Sequence, residues 1–447
     1  MFESLGRSCL KRTFLCLFLI TALLLLAACI APGASAAASD RSWTAAEVEY
    51  NIANPNIAAG PDGNAHISYV KDSKLYTATF DGSSWTHQLI DGASICGYNT
   101  DIAVDSQGNT HLMYLDTTLG YAWKLMYANN IGGSYMIYEL VQSVSYGFDM
   151  VLDSEDHVHV AYHSQSNSVV SYGTNAGGSW SFGEVLSGSL LVYTGTEFSI
   201  STDSQDRPHI AAATFNSANS KDNIMYVRYD GSTWSSQLLD TATNVLHYVK
   251  LSVDHSDKVH LSYVESTNRD IRYTTNAGGS WSSTTLTTAY DVQGSGFAMV
   301  TDSLNKVHIT FVDVWPKDIH YFTNDDGSWS SADLTTSPRY NDLMKMAIGP
   351  DDDLHVLGID TSFYARYLYG EGPVTWAPAF ENAPADGRET LTYSFVPDLN
   401  ETDAVITAHS TNAPFLSWNG TGYSGTPSTA QAGTYWISIS AQSVLGT

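Results

Sequence analysis

Apolar and polar residues alternate with a period of two along most of the chain, in short runs separated by turn-forming residues. "FSIST" (198–202), "HLSYV" (260–264), "IRYTT" (271–275) and "WSSTTL" (281–286) are representative. That period puts one face of each run against a core and the other toward water, as in a β-strand. No long stretch carries the 3.6-residue period of an amphipathic helix. The predicted class is all-β.

The runs recur as a unit. "GPDGNAHISYV" (60–70), "DSQGNTHLMYL" (105–115), "DSEDHVHVAYH" (153–163) and "DSQDRPHIAAA" (203–213) align with one another. "DHSDKVHLSYV" (254–264), "DSLNKVHITFV" (302–312) and "GPDDDLHVLGI" (349–359) complete the series. The anchors His66, His111, His159, His209, His260, His308 and His355 lie 45 to 51 residues apart. Within a repeat, an apolar strand leads into the Asp-Ser turn and the His opens a second strand. A loop then gives a third strand, and a Gly-rich hairpin opens a fourth. Four antiparallel strands at this period predict one propeller blade per repeat.

Trp85, Trp180, Trp234, Trp281 and Trp329 open the fourth strand, with Tyr135 in that slot in the second repeat. The seventh repeat ends near "YARYLYG" without such a strand. "SWTAAEV" (42–48) precedes the first repeat and matches "SWSSADL" (328–334). The expected architecture is therefore a seven-bladed β-propeller over 40–370. Its N-terminal strand supplies the last outer strand, leaving no large open edge.

"TTNAGGSW" (274–281) and "GTNAGGSW" (173–180) resemble the Asp-box (BNR) repeat of sialidase-like propellers, with Asn276 standing at the Asp position of the first. "FTNDDGSW" (322–329) is one residue tighter before its Trp, and "FDGSSW" and "YDGSTW" are looser. The resemblance implies a propeller in which these boxes are structural hairpins away from the functional face. It implies little about activity.

From Gly370 the pattern changes to a Pro-rich segment and a new β unit over 371–447. "APFLSWNGTGYSGTPSTAQAGTYWISISAQ" (413–442) resembles the cadherin-like, Ig-type modules of bacterial and archaeal surface proteins. The matching motifs are Leu416 to Trp418, Ser424 to Pro427 and Gly433 to Tyr435. The resemblance implies a β-sandwich serving as a stalk or adhesion spacer. The chain ends abruptly after "SVLGT", so this module is expected to be cut short.

Composition narrows the function. The formal charge is −26, with only 20 Lys plus Arg. This opposes charge-driven binding of nucleic acid or anionic lipid, both of which need a basic patch. Residues 1–39 read as an export signal and short linker. Arg7, Lys11 and Arg12 precede the apolar run "TFLCLFLITALLLLAA". "LAAC" resembles a bacterial lipobox, which would make Cys29 the lipidated N-terminus and the membrane link. "ASA" (34–36) is the alternative cleavage site of a plain secreted protein. Cys96 is then the one cysteine of the mature body, so no intrachain disulfide is expected.

The repeated Asp and His residues are expected to be scaffold. Asp and Ser side chains satisfy turn amides, and each His is placed to bond to its turn or to a neighbouring repeat. Seven histidines spread over seven blades cannot meet at one metal ion. No metal or cofactor is expected, with weak Ca²⁺ binding by single acidic turns the alternative.

Function is expected where the repeats differ, in the loops between second and third strands and in the crossovers. These contribute Tyr121, Trp123, His163, Tyr193, Glu197, Glu265, Arg269, Trp315 and Arg339. Aromatic faces beside carboxylates and amides suit sugar rings, which stack through C–H groups and hydrogen-bond through hydroxyls. Trp123 and Trp315 are read as the tips of polar loops. The expected role is binding of a glycan or an extracellular protein at a cell surface. A glycoside hydrolase or polysaccharide lyase on the same face is the alternative, and a structural surface-layer component the third reading. Sialidase activity is not expected, because its carboxylate-gripping arginine triad has only Arg269 and Arg339 as candidates in these loops.

Overall fold

The computed structural model describes residues 41–371 apart from short gaps at 42, 121–122, 166–168, 187–189, 193–197, 217–218, 243–245, 266–267, 287–290, 326 and 336–339. It also describes short strands within 16–19 and 376–443. Two compact units result, 36–372 in one and 1–35 with 373–447 in the other. Among the described residues every regular element is a strand.

The larger unit is built of four-stranded antiparallel sheets, an arrangement consistent with a propeller. In the fifth repeat the order is Leu246–Val253, Val259–Glu265, Asp270–Thr275 and Ser282–Thr285. One departure from the expected pattern is the strand Met136–Leu152. It pairs with Trp123–Asn129 through its first half and with Val158–Ser164 through its second, fusing the second and third repeats into one sheet. Another is the fourth repeat's first strand, which is split into Leu190–Val192 and Phe198–Thr202. The segment Trp43–Tyr50 pairs with Tyr364–Gly370, beside Leu354–Asp360 and Tyr340–Ile348.

Apolar cores form between successive sheets. Ala211 and Ile224 pack with Leu251 and Leu261 across the fourth and fifth repeats. Val264 and Ile271 pack with Phe297 and Ile309 across the next pair. Val48, Leu357 and Tyr367 pack with Ile57, Ile67 and Tyr69 of the first repeat. Each fully buried aliphatic side chain contributes about 1.5–3 kcal/mol, so the junctions carry much of the stability.

The Asp turn explains its own sequence. Asp153 accepts from the amides of Glu155 and His157 through Oδ1, and from His159 Nε2 through Oδ2 at 2.9 Å. The fourth turn residue takes a positive φ, 65° at Asp156 and 60° at Asp206. Asn, Asp and Gly tolerate that conformation. Its carboxylate reaches the preceding repeat: Asp206 accepts from Ser154 N and Oγ at 2.9 and 2.8 Å. Ser106 meets Asp156, Ser204 meets Asp257, and Ser303 meets Asp352 in the same way. The scaffold expected of these residues is thus a chain of staples between repeats.

The smaller unit pairs Cys16–Leu19 with Thr434–Ser443, which also pairs with Ala404–Thr411. Ser417–Trp418 pairs with Tyr423–Gly425. Cys29, the lipobox and "ASA" lie outside the described residues.

Candidate functional site

Five of the seven anchor histidines link an Asp of the preceding turn to a Tyr of the third strand. His159 Nδ1 meets the Tyr172 hydroxyl at 2.5 Å while Nε2 meets Asp153. Asp105–His111–Tyr127, Asp203–His209–Tyr226, Asp254–His260–Tyr273 and Asp302–His308–Tyr321 repeat the arrangement. Burial pushes His111, His159 and His209 below the ordinary imidazole value, although their Asp partners oppose the shift. The tyrosine ring in turn receives the Trp of the next repeat edge-on. Trp180 meets Tyr127 at 5.3 Å, Trp234 meets Tyr172 at 4.9 Å, and Trp281 meets Tyr226 at 5.2 Å. These groups are occupied in holding the sheets together.

One histidine cluster has a metal-like donor set. Ligand atoms of Asp302, His308 and Asp325 lie within 4.8 Å of one another, and all three residues are buried. Protein donors already serve both carboxylates. Asp302 accepts from the amides of Leu304 and Lys306, and Asp325 accepts from Thr323 Oγ1. Burial first, and the charge of Asp302 further down, push the Asp325 carboxyl up, while His308, Thr323 and Arg41 oppose the rise. This group holds one anchor histidine and draws no histidine from another repeat.

The loop ends of the strands give a different picture. Tyr121, Tyr193, Glu197 and Arg339 lie outside the described residues. Trp123 is not a loop tip. It opens the strand Trp123–Asn129, is 8% exposed, and packs with Leu125, Tyr127 and Phe148. His163 is likewise inside a strand, Val158–Ser164, and 4% exposed. Neither of its ring nitrogens has a hydrogen-bond partner among the described residues. Burial lowers its tendency to take a proton.

Three expected residues remain in one neighbourhood, at the junction of the fifth and sixth repeats. Glu265 ends its strand, and Arg269 takes a φ of 56° in the loop that follows. The Arg269 carbonyl accepts from Val292 N at 3.0 Å, and the Asp291 carbonyl accepts from Val314 N at 2.7 Å. These bonds tie the Arg269 loop, the crossover and the Trp315 loop into one line. Trp315 is 79% exposed.

Beneath Trp315 lies a constellation that the sequence reading missed. Asp313 Oδ1 accepts from Lys317 N and Asp318 N, bracing the loop that carries Trp315. Asp313 Oδ2 lies 3.5 Å from His320 Nε2, and Asp333 Oδ1 lies 2.7 Å from His320 Nδ1. The corresponding place in the seventh repeat holds Arg366 between Asp360 and Glu47, at 2.8 and 3.0 Å. An imidazole between two carboxylates thus replaces a guanidinium between two carboxylates. The signal available was the His in "DIHYF", where the seventh repeat reads "YARYL".

No protein-family model matches the sequence, and no curated protein matches it. Solved structures do match in fold. An ulvan lyase, described as a new family of polysaccharide lyase, gives a TM-score of 0.52 at 12% identity, covering 74% of this chain and 96% of its own. A fungal alcohol oxidase in complex with copper gives 0.50 at 10% identity, covering 89% and 92%. An α-L-arabinofuranosidase from Fusarium graminearum gives 0.45 at 8% identity, covering 76% and 98%. The likeness is one of fold: this chain is all-β and propeller-like. No helix among the described residues is long and apolar enough to cross a membrane.

Proposed function

We propose that the sheets are seven blades of one ring, closed by Trp43–Tyr50, and that the ring recognises a glycan through its loop rim at the junction of the fifth and sixth blades. The ring reading rests on the pairing of Trp43–Tyr50 with Tyr364–Gly370 and on the apolar core joining Leu357 and Tyr367 to Ile57 and Ile67. The ligand reading is carried by one observation: Trp315 stands almost fully exposed on a loop braced from below by Asp313. A large indole held in water by a fixed loop is a stacking platform for a sugar ring. Arg269 and Glu265, joined to that loop through Val292 and Asp291, supply hydrogen-bonding groups beside it.

The setting is extracytoplasmic, with export directed by residues 1–39 and anchoring through Cys29. The 371–447 unit serves as an Ig-type or cadherin-like spacer. A second reading, a glycoside hydrolase or polysaccharide lyase acting at the same rim, is favoured by His320 between Asp313 and Asp333. Those groups hold and move protons in general acid–base chemistry, and the fold is shared with a polysaccharide lyase. A glycan array followed by product assays separates the two. Retention of glycan without cleavage supports recognition. Release of unsaturated or reducing ends supports catalysis, and no glycan bound at all overturns both.

A further inference from the structure

A cleft lies at the Asp-turn end of the strands, between the fourth and fifth repeats. In most repeats the hairpin Asn caps the strand that follows the Asp turn. Asn130 Oδ1 accepts from Thr110 N, Asn175 from Val158 N, Asn276 from Val259 N and Asn324 from Val307 N, at 2.7–2.8 Å. In the fourth repeat the capped residue is Pro208, which has no N–H to offer. The Asn position is taken by Tyr229, in the shorter hairpin "YDGSTW". Facing His209 on the third strand is Arg228, where the third, fifth and sixth repeats place Thr174, Thr275 and Thr323. The cleft lies between these groups and Asp257 of the fifth repeat.

The hydrogen-bonding capacity of this cleft is lopsided. Much of its acceptor capacity is already in use. Asp203 Oδ2 takes Arg207 and His209, and its Oδ1 takes two turn amides. Asp230 takes the amides and hydroxyls of Ser232 and Thr233, and Asp257 takes Ser204 N and Oγ. The donors are not spent. Among the described residues the Arg228 guanidinium makes no hydrogen bond or ion pair, and it is exposed to the cleft mouth. An arginine offers five N–H groups. A ligand here must bring acceptors. Three carboxylates against two guanidinium groups leave the cleft net negative, which repels an anion.

From this we infer that the cleft is a binding site for a neutral, hydroxyl-rich ligand, a sugar unit whose ring and hydroxyl oxygens accept from Arg228. The site is independent of the loop-rim reading, since it shares no residue with Trp315, Arg269 or His320.

Saturation-transfer NMR on the full chain tests it, with 5 mM each of glucose, galactose, mannose and fucose as separate probes, roughly the range expected for one arginine-centred contact. At least one sugar is expected to show transfer that falls several-fold in Arg228→Ala and persists in Trp315→Ala. Arg228→Thr, which restores the residue type of the first, third, fifth and sixth repeats, keeps the fold while removing the donor. The inference is overturned if none of the four sugars shows transfer. It is also overturned if the signal survives Arg228→Thr, if it vanishes only in Trp315→Ala, or if glucuronate or sulfate binds in place of the neutral sugars.

Discussion

The Trp43 indole meets the Tyr321 ring edge-on, with centroids 5.5 Å apart and planes at 68°. Trp43 lies ahead of the first repeat and Tyr321 in the sixth, yet the geometry matches that of Trp329 on Tyr273, at 5.0 Å and 73°. Trp85 of the first repeat meets Tyr367 of the seventh at 5.4 Å and 87°. The same aromatic joint is therefore used at ordinary junctions and at those which join the two ends of the repeat series.

Trp43→Ala is expected to cost about 3 kcal/mol, toward the lower end for a buried aromatic because the indole is only partly covered. Gly370→Ala tests the same joint from the other side. A Cβ there would lie 2.8 Å from the Trp43 ring, so overpacking should cost about 1–3 kcal/mol. Urea unfolding of both variants measures the loss. Full stability in either would contradict the joint.

Asp206 holds Ser154 of the preceding repeat through two hydrogen bonds. Asp206→Ala should destabilise by about 1–2 kcal/mol, through loss of those bonds and strain at its positive φ. Asp206→Asn should recover much of this, because Asn305 already serves the same purpose by accepting from His255 N at 2.9 Å. Where a turn has Gly in this acceptor place, at Gly63 and Gly108, the preceding repeat has Pro350 or Pro61 in the donor place. Donor and acceptor are absent together, as the proposed ring requires if the seventh repeat's Pro350 faces the first repeat's Gly63.

His355 lacks the Asp partner of five of its counterparts, since Gly349 stands in that position, as Gly60 does for His66. Burial, with a smaller push from His66, lowers it from 6.5 to about 4. Between those values the unfolded chain takes up a proton that the folded chain refuses, so stability falls as pH drops. The contribution is about 3 kcal/mol across the window, present in full above pH 6.5 and gone below about 4. His355→Asn should flatten the dependence of the urea midpoint between pH 6.5 and 4. An unchanged slope would contradict the burial of this imidazole.

Trp315→Ala should remove glycan retention while leaving the melting temperature within a degree or so, because an exposed side chain contributes little to the core. Trp123→Ala should do the reverse, lowering stability by about 3–5 kcal/mol and changing binding only as far as it unfolds the chain. Differential scanning fluorimetry paired with the glycan array distinguishes the two.

The legible and illegible parts of this protein divide at strand ends. The His anchors and Trp slots were readable because each recurs at a fixed offset from a turn with its own chemistry. Loop boundaries have no such marker. "DTTLGYAWK" reads as a polar loop through residue 124, yet the strand starts at Trp123; "HSQSNS" reads as a loop from residue 163, yet the strand runs to Ser164. Side chains alternate faces along a strand, so a misplacement of one or two residues turns a loop tip into core. Trp315 and Arg269 lie well inside their loops and escape that ambiguity. The placement of Asp313 and Asp333 on either side of His320 depends on cross-strand register, which no local pattern reveals.

Closure of the ring can be measured by a single crosslink. Glu47 and Arg366 are register partners across the Trp43–Tyr50 and Tyr364–Gly370 pairing, with their side chains 3.0 Å apart. Glu47→Cys combined with Arg366→Cys, in a background with Cys9, Cys16 and Cys29 changed to Ser, is expected to oxidise readily. It should run faster on a non-reducing gel and melt at a higher temperature than its reduced form, as a long closed loop requires. Three free thiols in the oxidant-treated protein, the two introduced and the native Cys96, would contradict closure.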